Sequence, residues 1–122
     1  MISPSTTPTP PDLAEVAAAL STYWILEEEI AKVQARQLRA LELYSRKAAS
    51  RRAATAKVAR TLSVTATEAE RKIALAQTLV RRLPGTLAAM ERGEITEPQA
   101  AALADAFAVL PLGEAGHGRG EP

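Results

Sequence analysis

The chain has 122 residues, room for a single domain whose core must come from roughly the middle ninety. Alanine and leucine dominate, the aromatics are Tyr23, Trp24, Tyr44 and Phe107, and β-branched runs are missing, which favours helices and argues against a sheet. With no Cys there is neither a disulfide framework nor a thiolate metal site, and the net charge of +1 averages over a strong pattern along the chain.

Residues 1–34 carry five acidic side chains and one basic, residues 35–82 twelve basic and three acidic, and residues 83–122 six acidic and two basic. A basic middle between acidic flanks is the asymmetry expected of a protein that meets a polyanion. Arginine is also a good, soluble helix former, so charge alone leaves both readings open. No stretch approaches the ~18–20 apolar residues of a membrane span. Residues 1–11 lack the basic start and apolar run of a secretory signal. A reducing cytoplasm suits such a chain.

In chain order, the Thr- and Pro-rich residues 1–11 predict a disordered leader, residues 12–111 a helical domain, and the Gly-rich residues 112–122 a disordered tail. A short helix over about 12–20 precedes a long one that starts after Ser21 or Thr22 and runs to about 48. The long helix carries Tyr23, Leu26, Ile30, Val33, Leu41, Tyr44 and Ala48 at spacings of three and four, interrupted by Gln37. That stripe can pack on the domain's own helices or on a second copy, and spacing does not choose between them. Glu28 with Lys32 and Glu42 with Arg46 are i,i+4 pairs worth a few tenths of a kcal/mol each.

A second helix covers 50–62, with Ala54, Val58 and Leu62 on one face, and Ser63, Val64 and Thr65 break it. A third runs over 66–83, opened by Thr65 with Glu68 or Thr67 with Glu70 at capping-box spacing. Its buried stripe is Ala69, Ile73, Ala76, Val80 and Leu83, with Arg71 and Arg82 opposite. Pro84 and Gly85 punctuate, and a short helix over 86–92 ends at Gly93. Thr96 and Gln99 form a capping box around Pro98, opening a last helix to about 109 with Leu103, Phe107 and Leu110 turned inward. The fold expected is all-α, an array of four to five helices led by a long N-terminal one.

Within it, the pair over about 50–83 has helix-turn-helix character. Ala59 is the small residue that permits close approach, Leu62 precedes the turn, Val64 plugs the gap and Thr65 caps the next helix. On that reading the third helix enters the major groove of double-stranded DNA. Thr67, Glu70, Arg71 and Lys72 then face bases, while Lys57 and Arg60 lie near phosphates. Ser63 departs from the pattern where Gly is usual, and Ala69 is smaller than the branched residue common there. Arg46, Lys47, Arg51 and Arg52 cluster at the junction of the first two long helices. They suit phosphates, or simply the negative end of a helix dipole.

The inventory for catalysis is poor. The sole His, His117, sits in the Gly-rich tail without a carboxylate or Cys at useful spacing. A metal-ligand set, a Cys–His pair and a Ser–His–Asp arrangement all fail on residue types. Glu27, Glu28 and Glu29 point different ways round a helix and read as a solvated face. The expectation is a protein without enzymatic activity, cofactor, metal or small-molecule substrate.

From Val58 to Phe107 the residues carry a family resemblance. Ala59-Arg60-Thr61-Leu62-Ser63 is followed by Ala69-Glu70-Arg71-Lys72-Ile73-Ala74-Leu75-Ala76. Leu79 to Met90 includes Leu83-Pro84-Gly85-Thr86-Leu87 and leads into Gly93-Glu94-Ile95-Thr96. This resembles the domain-of-unknown-function 222 family, large in mycobacteria and other actinobacteria, strongly over about half the chain. Members of that family often continue into a C-terminal HNH endonuclease module built on His, Asn and usually Cys. Nothing here matches that module, so no nuclease residue carries over. The resemblance implies the front part of the helical domain, truncated or split, associated with DNA-processing proteins. The leading role is then DNA contact through the basic middle. The alternatives are a protein–protein module in which the long helix pairs with a second copy or a separate nuclease chain, and a truncated fragment without a function of its own.

Overall fold

The computed structural model describes residues 12–110, which form five helices and no strand. These are α1 (Leu13–Lys47), α2 (Arg51–Leu62), α3 (Ala66–Arg81), α4 (Pro84–Glu91) and α5 (Glu97–Ala108). The expected leader over 1–11 and tail over 112–122, with His117, lie outside the described residues.

One 35-residue helix stands where a short and a long one were expected. It starts at Asp12, whose side chain accepts from the backbone N–H of Ala14 at 3.0 Å and Glu15 at 3.4 Å. Ser21 and Thr22 lie exposed in its interior. A hydroxyl caps a helix only where the chain enters from non-helical backbone, and the alanine-rich run before it has no reason to end. At the other end Ala48 turns extended, and Ser50 caps α2 by accepting from Ala53 N–H at 3.0 Å.

The α2–α3 turn is tight. Val64 N–H donates to Ala59 O at 3.0 Å and Ser63 N–H to Arg60 O at 3.3 Å, a Schellman closure with Ser63 left-handed at φ 56°. Thr65 then caps α3 by accepting from Glu68 N–H at 3.1 Å. The Glu68 carboxylate turns to Arg71 instead of completing a capping box. α3 ends at Arg81, short of Leu83, and α4 begins at Pro84, two residues ahead of the expected start. Pro has no N–H to lose in a first turn, so it opens the helix that it was expected to precede. Gly93 follows at φ 77°, and the expected capping box of Thr96 and Gln99 is complete.

α3 touches all four other helices. Its first half places Ala69 and Ile73 against Ala54 and Val58 of α2. Its second half places Ala76 and Leu79 among Ala35 and Leu38 of α1, Leu87 and Met90 of α4, and Ala100 of α5. Leu79, absent from the expected stripe, is among the largest fully buried side chains, whereas Val80 and Leu83 are only half-buried. In α5 the core residues are Ala100 and Ala104, while Leu103 and Leu110 are exposed and Phe107 half-buried beneath Arg82. Leu62 of α2 is likewise exposed. At these positions the helices meet through alanine, because small side chains let their axes approach closely and the larger neighbours are turned aside.

Candidate functional site

On α1, spacing left open what the apolar stripe packs on, and the domain's own helices bury a different face. Its buried residues are Ala31, Ala35, Leu38 and Glu42. The larger stripe of Tyr23, Leu26, Ile30, Val33 and Tyr44 stays exposed, roughly 120° round the helix from that core face. Only Leu41 and Ala48 of the stripe are partly buried. Every residue of α1 from Leu13 to Leu26 is exposed, so its first fourteen residues, about 21 Å of helix, project beyond the packed body. Tyr23 is 60% and Trp24 59% exposed. Tyr23 OH donates to Glu27 one turn on, at 3.1 Å.

The other half of the stripe borders a groove of about 580 Å³. Gln34, Gln37, Leu41 and Tyr44 of α1 form one wall, and Val58, Thr61 and Leu62 of α2 the other, with Val64 between. Lys57, Lys72 and Glu97 stand at its margin. One apolar track thus runs from the free end of α1 into a half-open trough.

The nine residues singled out for DNA contact do not share one surface. Arg46 donates from Nε and Nη2 to the two Glu42 carboxylate oxygens, both at 3.1 Å, and Arg81 of α3 donates to the same carboxylate at 3.1 Å. These two cations hold the Glu42 carboxyl below the usual carboxylate range, against the opposing effect of burial. Arg51 donates to Gln77 at 3.1 Å, and Gln77 to Ser45 at 3.2 Å, so it ties α2 through α3 to α1. Arg51 and Arg52 also line a shallow hollow shared with Thr55, Ala66 and Glu70. Thr67 and Arg71 lie on the outer side of α3, with Arg71 paired to Glu68 at 2.6 Å. Lys72, one residue and about 100° further round, turns away to the groove beside Lys57. Lys47, Arg52 and Arg60 are exposed without a carboxylate partner among the described residues.

Sequence reasoning paired Glu42 with Arg46 as a surface contact and missed its burial, with 3% of the side chain exposed. No local signal marks it, because its second partner, Arg81, is 39 positions away. Reasoning from periodicity also passed over Ala31 and Ala35, although both lie on the face of Leu38 and a small-residue spacing of four was there to be seen. Among the described residues no cluster of His, Cys, Asp or Glu could hold a metal ion, and no helix is long and apolar enough to cross a membrane. No family model, curated protein or solved structure matches the chain.

Proposed function

We propose that this domain is a non-catalytic association module, whose first helix presents an apolar track that another protein chain covers. The observation that carries this reading is the apolar track of α1, with Tyr23 and Leu26 exposed on its projecting end and Ile30 exposed where it meets the body, running on into the α1–α2 groove. Contiguous apolar surface of that extent marks interaction sites, since covering it recovers about 25 cal/mol per Å². Light scattering over a concentration series tests it. Association rises with concentration and is lost in an Ile30→Ser, Val33→Ser double variant. Helicity is kept in that variant, and its melting matches that of the wild type at concentrations low enough for the wild type to be monomeric, because both residues lie outside the core and are 49% and 43% exposed. A wild-type chain that stays monomeric at high micromolar concentration, or a variant that associates as strongly, sinks the reading.

A second reading is favoured by one observation, the tight left-handed turn at Ser63 with Thr65 capping α3, which has the form of a helix-turn-helix pair. It makes α2 and α3 a DNA-contacting unit, in keeping with the nuclease-associated family the sequence resembles. Glu68 and Glu70 weigh against it, since they flank Arg71 on the helix meant to enter the groove. Fluorescence anisotropy of a labelled duplex at several salt concentrations is the test. A DNA-contacting unit gives saturable binding that weakens steeply with salt and falls in an Arg71→Ala, Lys72→Ala variant. Absence of binding at low salt removes the reading, and unchanged affinity in the variant removes α3 from the contact.

A further inference from the structure

We infer that the chain forms a two-fold symmetric dimer in which the projecting half of each α1 lies antiparallel in the α1–α2 groove of the other copy. This rests on the association reading above and names its partner as a second copy.

The first ground is the spacing of the track. Tyr23, Leu26 and Ile30 precede the point midway between Val33 and Gln34 by the same steps with which Gln37, Leu41 and Tyr44 follow it. Two such helices laid antiparallel about that point set Tyr23 level with Tyr44 of the other copy, Leu26 with Leu41, and Ile30 with Gln37. An isologous interface requires this self-complementarity, because a contact made by one residue with another is repeated with the copies exchanged. The half that projects without cover and the half that borders an open groove are therefore the two sides of one contact. Leu62 and Tyr44, 47% and 40% exposed, are the groove residues that the incoming helix covers.

The second ground is charge. About a two-fold axis, each flank of the track meets the same flank of the other copy. Glu29 and Arg36 lie on one flank, about 20° apart round the helix, and this register brings them within two residues, ~3 Å, of level across the dimer. On the other flank, Glu27 of the incoming helix comes over the groove margin that carries Lys57 and Lys72. Glu29, which also holds Lys32 of its own helix at 3.0 Å, thus comes beside Arg36, and Glu27 comes over two lysines and one carboxylate, Glu97. A parallel pair would instead turn the flank of Glu29 and Arg36 away from its own copy, so that these two could not meet, and would stack Gln37 on itself in the centre.

The chain has no Cys, so single cysteines report the geometry directly. In the oxidised full-length protein, Val33→Cys joins the two copies across the axis. Tyr23→Cys does not, because its two copies stand about 30 Å apart along the helices. Tyr23→Cys combined with Tyr44→Cys cross-links again. Glu29→Arg and Arg36→Glu each raise the dimer dissociation constant about tenfold, and the two together restore most of it. Cross-linking of Tyr23→Cys alone, or none for Val33→Cys in a chain that still dimerises, overturns the antiparallel register and leaves the association reading standing. A monomeric wild-type chain overturns both.

Discussion

Ser63 and Gly93 occupy the same left-handed region of backbone, at φ 56° and 77°, for different reasons. At Ser63 the turn between α2 and α3 demands the conformation, and the serine side chain is exposed, so nothing but its own β-carbon opposes it. At Gly93 the α4–α5 turn also lies against α1. A β-carbon there would stand 3.2 Å from the Glu28 β-carbon, 3.2 Å from its carbonyl oxygen and 3.2 Å from Lys32 Cε. The lysine end can swing away, but the Glu28 backbone cannot. Ser63→Gly therefore stabilises the domain by about 1 kcal/mol, whereas Gly93→Ala destabilises it by about 2 kcal/mol or more. Urea unfolding of the two variants measures both, and equal effects would place the strain elsewhere.

Between elements, the strongest polar tie is Glu42, which joins α1 to α3 through Arg81 while Arg46 holds it from its own helix. Arg39 and Glu91 tie α1 to α4 in the same manner, although both are more open to water and so worth less. Each carboxyl is held below the 4.5 usual for glutamate, chiefly by the hydrogen bonds from its arginine. A carboxylate whose folded pKa is depressed stabilises the fold fully above its unfolded value, and that contribution is lost as pH falls through the folded pKa. Melting temperature should therefore hold near neutrality and drop once the pH passes below about 4.5. Glu42→Gln keeps the side-chain shape but gives up the charge. It is less stable than wild type by about 1–2 kcal/mol at neutral pH, and the difference closes in acid. An undiminished gap at low pH would assign the loss to packing rather than to the ion pairs. The Ser45–Gln77–Arg51 chain completes this junction, so Arg46 and Arg51, whose cluster suited either phosphates or a helix dipole in the sequence, hold partners within the chain although both side chains stay exposed.

At the scale of the whole molecule, the small core and the long first helix are two sides of one arrangement. α3 gathers the other helices around Ile73, Leu79, Leu87 and Met90, and the residues that bring them close are mostly alanines. Alanine contributes little apolar area, so the core closes without the larger side chains of α1. Those are left on a face that points away from α3 and, towards the N-terminus, beyond it. The cross-linking and charge-exchange experiments follow from that surplus, as does the light-scattering comparison. Each asks whether the face left over by one chain is the face that completes another.

The sequence by itself determined most of the local structure: an all-α array of four to five helices, the caps at Thr65 and Thr96, the turn glycine at Gly93, and the face of α3 that bears Ala69, Ile73 and Ala76, although it broke α1 in two and began α4 after Pro84 rather than at it. These depend on neighbours three or four residues away, and such distances are written in the chain. It left open whether the stripe on the long helix meets its own domain, and it placed Leu62, Leu103 and Leu110 inward. Only the tertiary structure decided those, because periodicity weighs a side chain by its size whereas close packing of helices selects small ones. The burial of Glu42 and the dispersal of the nine basic-region residues over separate faces were decided there too. Arg81 reaches Glu42 across 39 positions, and Lys72 parts from Arg71 by a single step of the helix, so neither outcome exists until α3 is laid against α1.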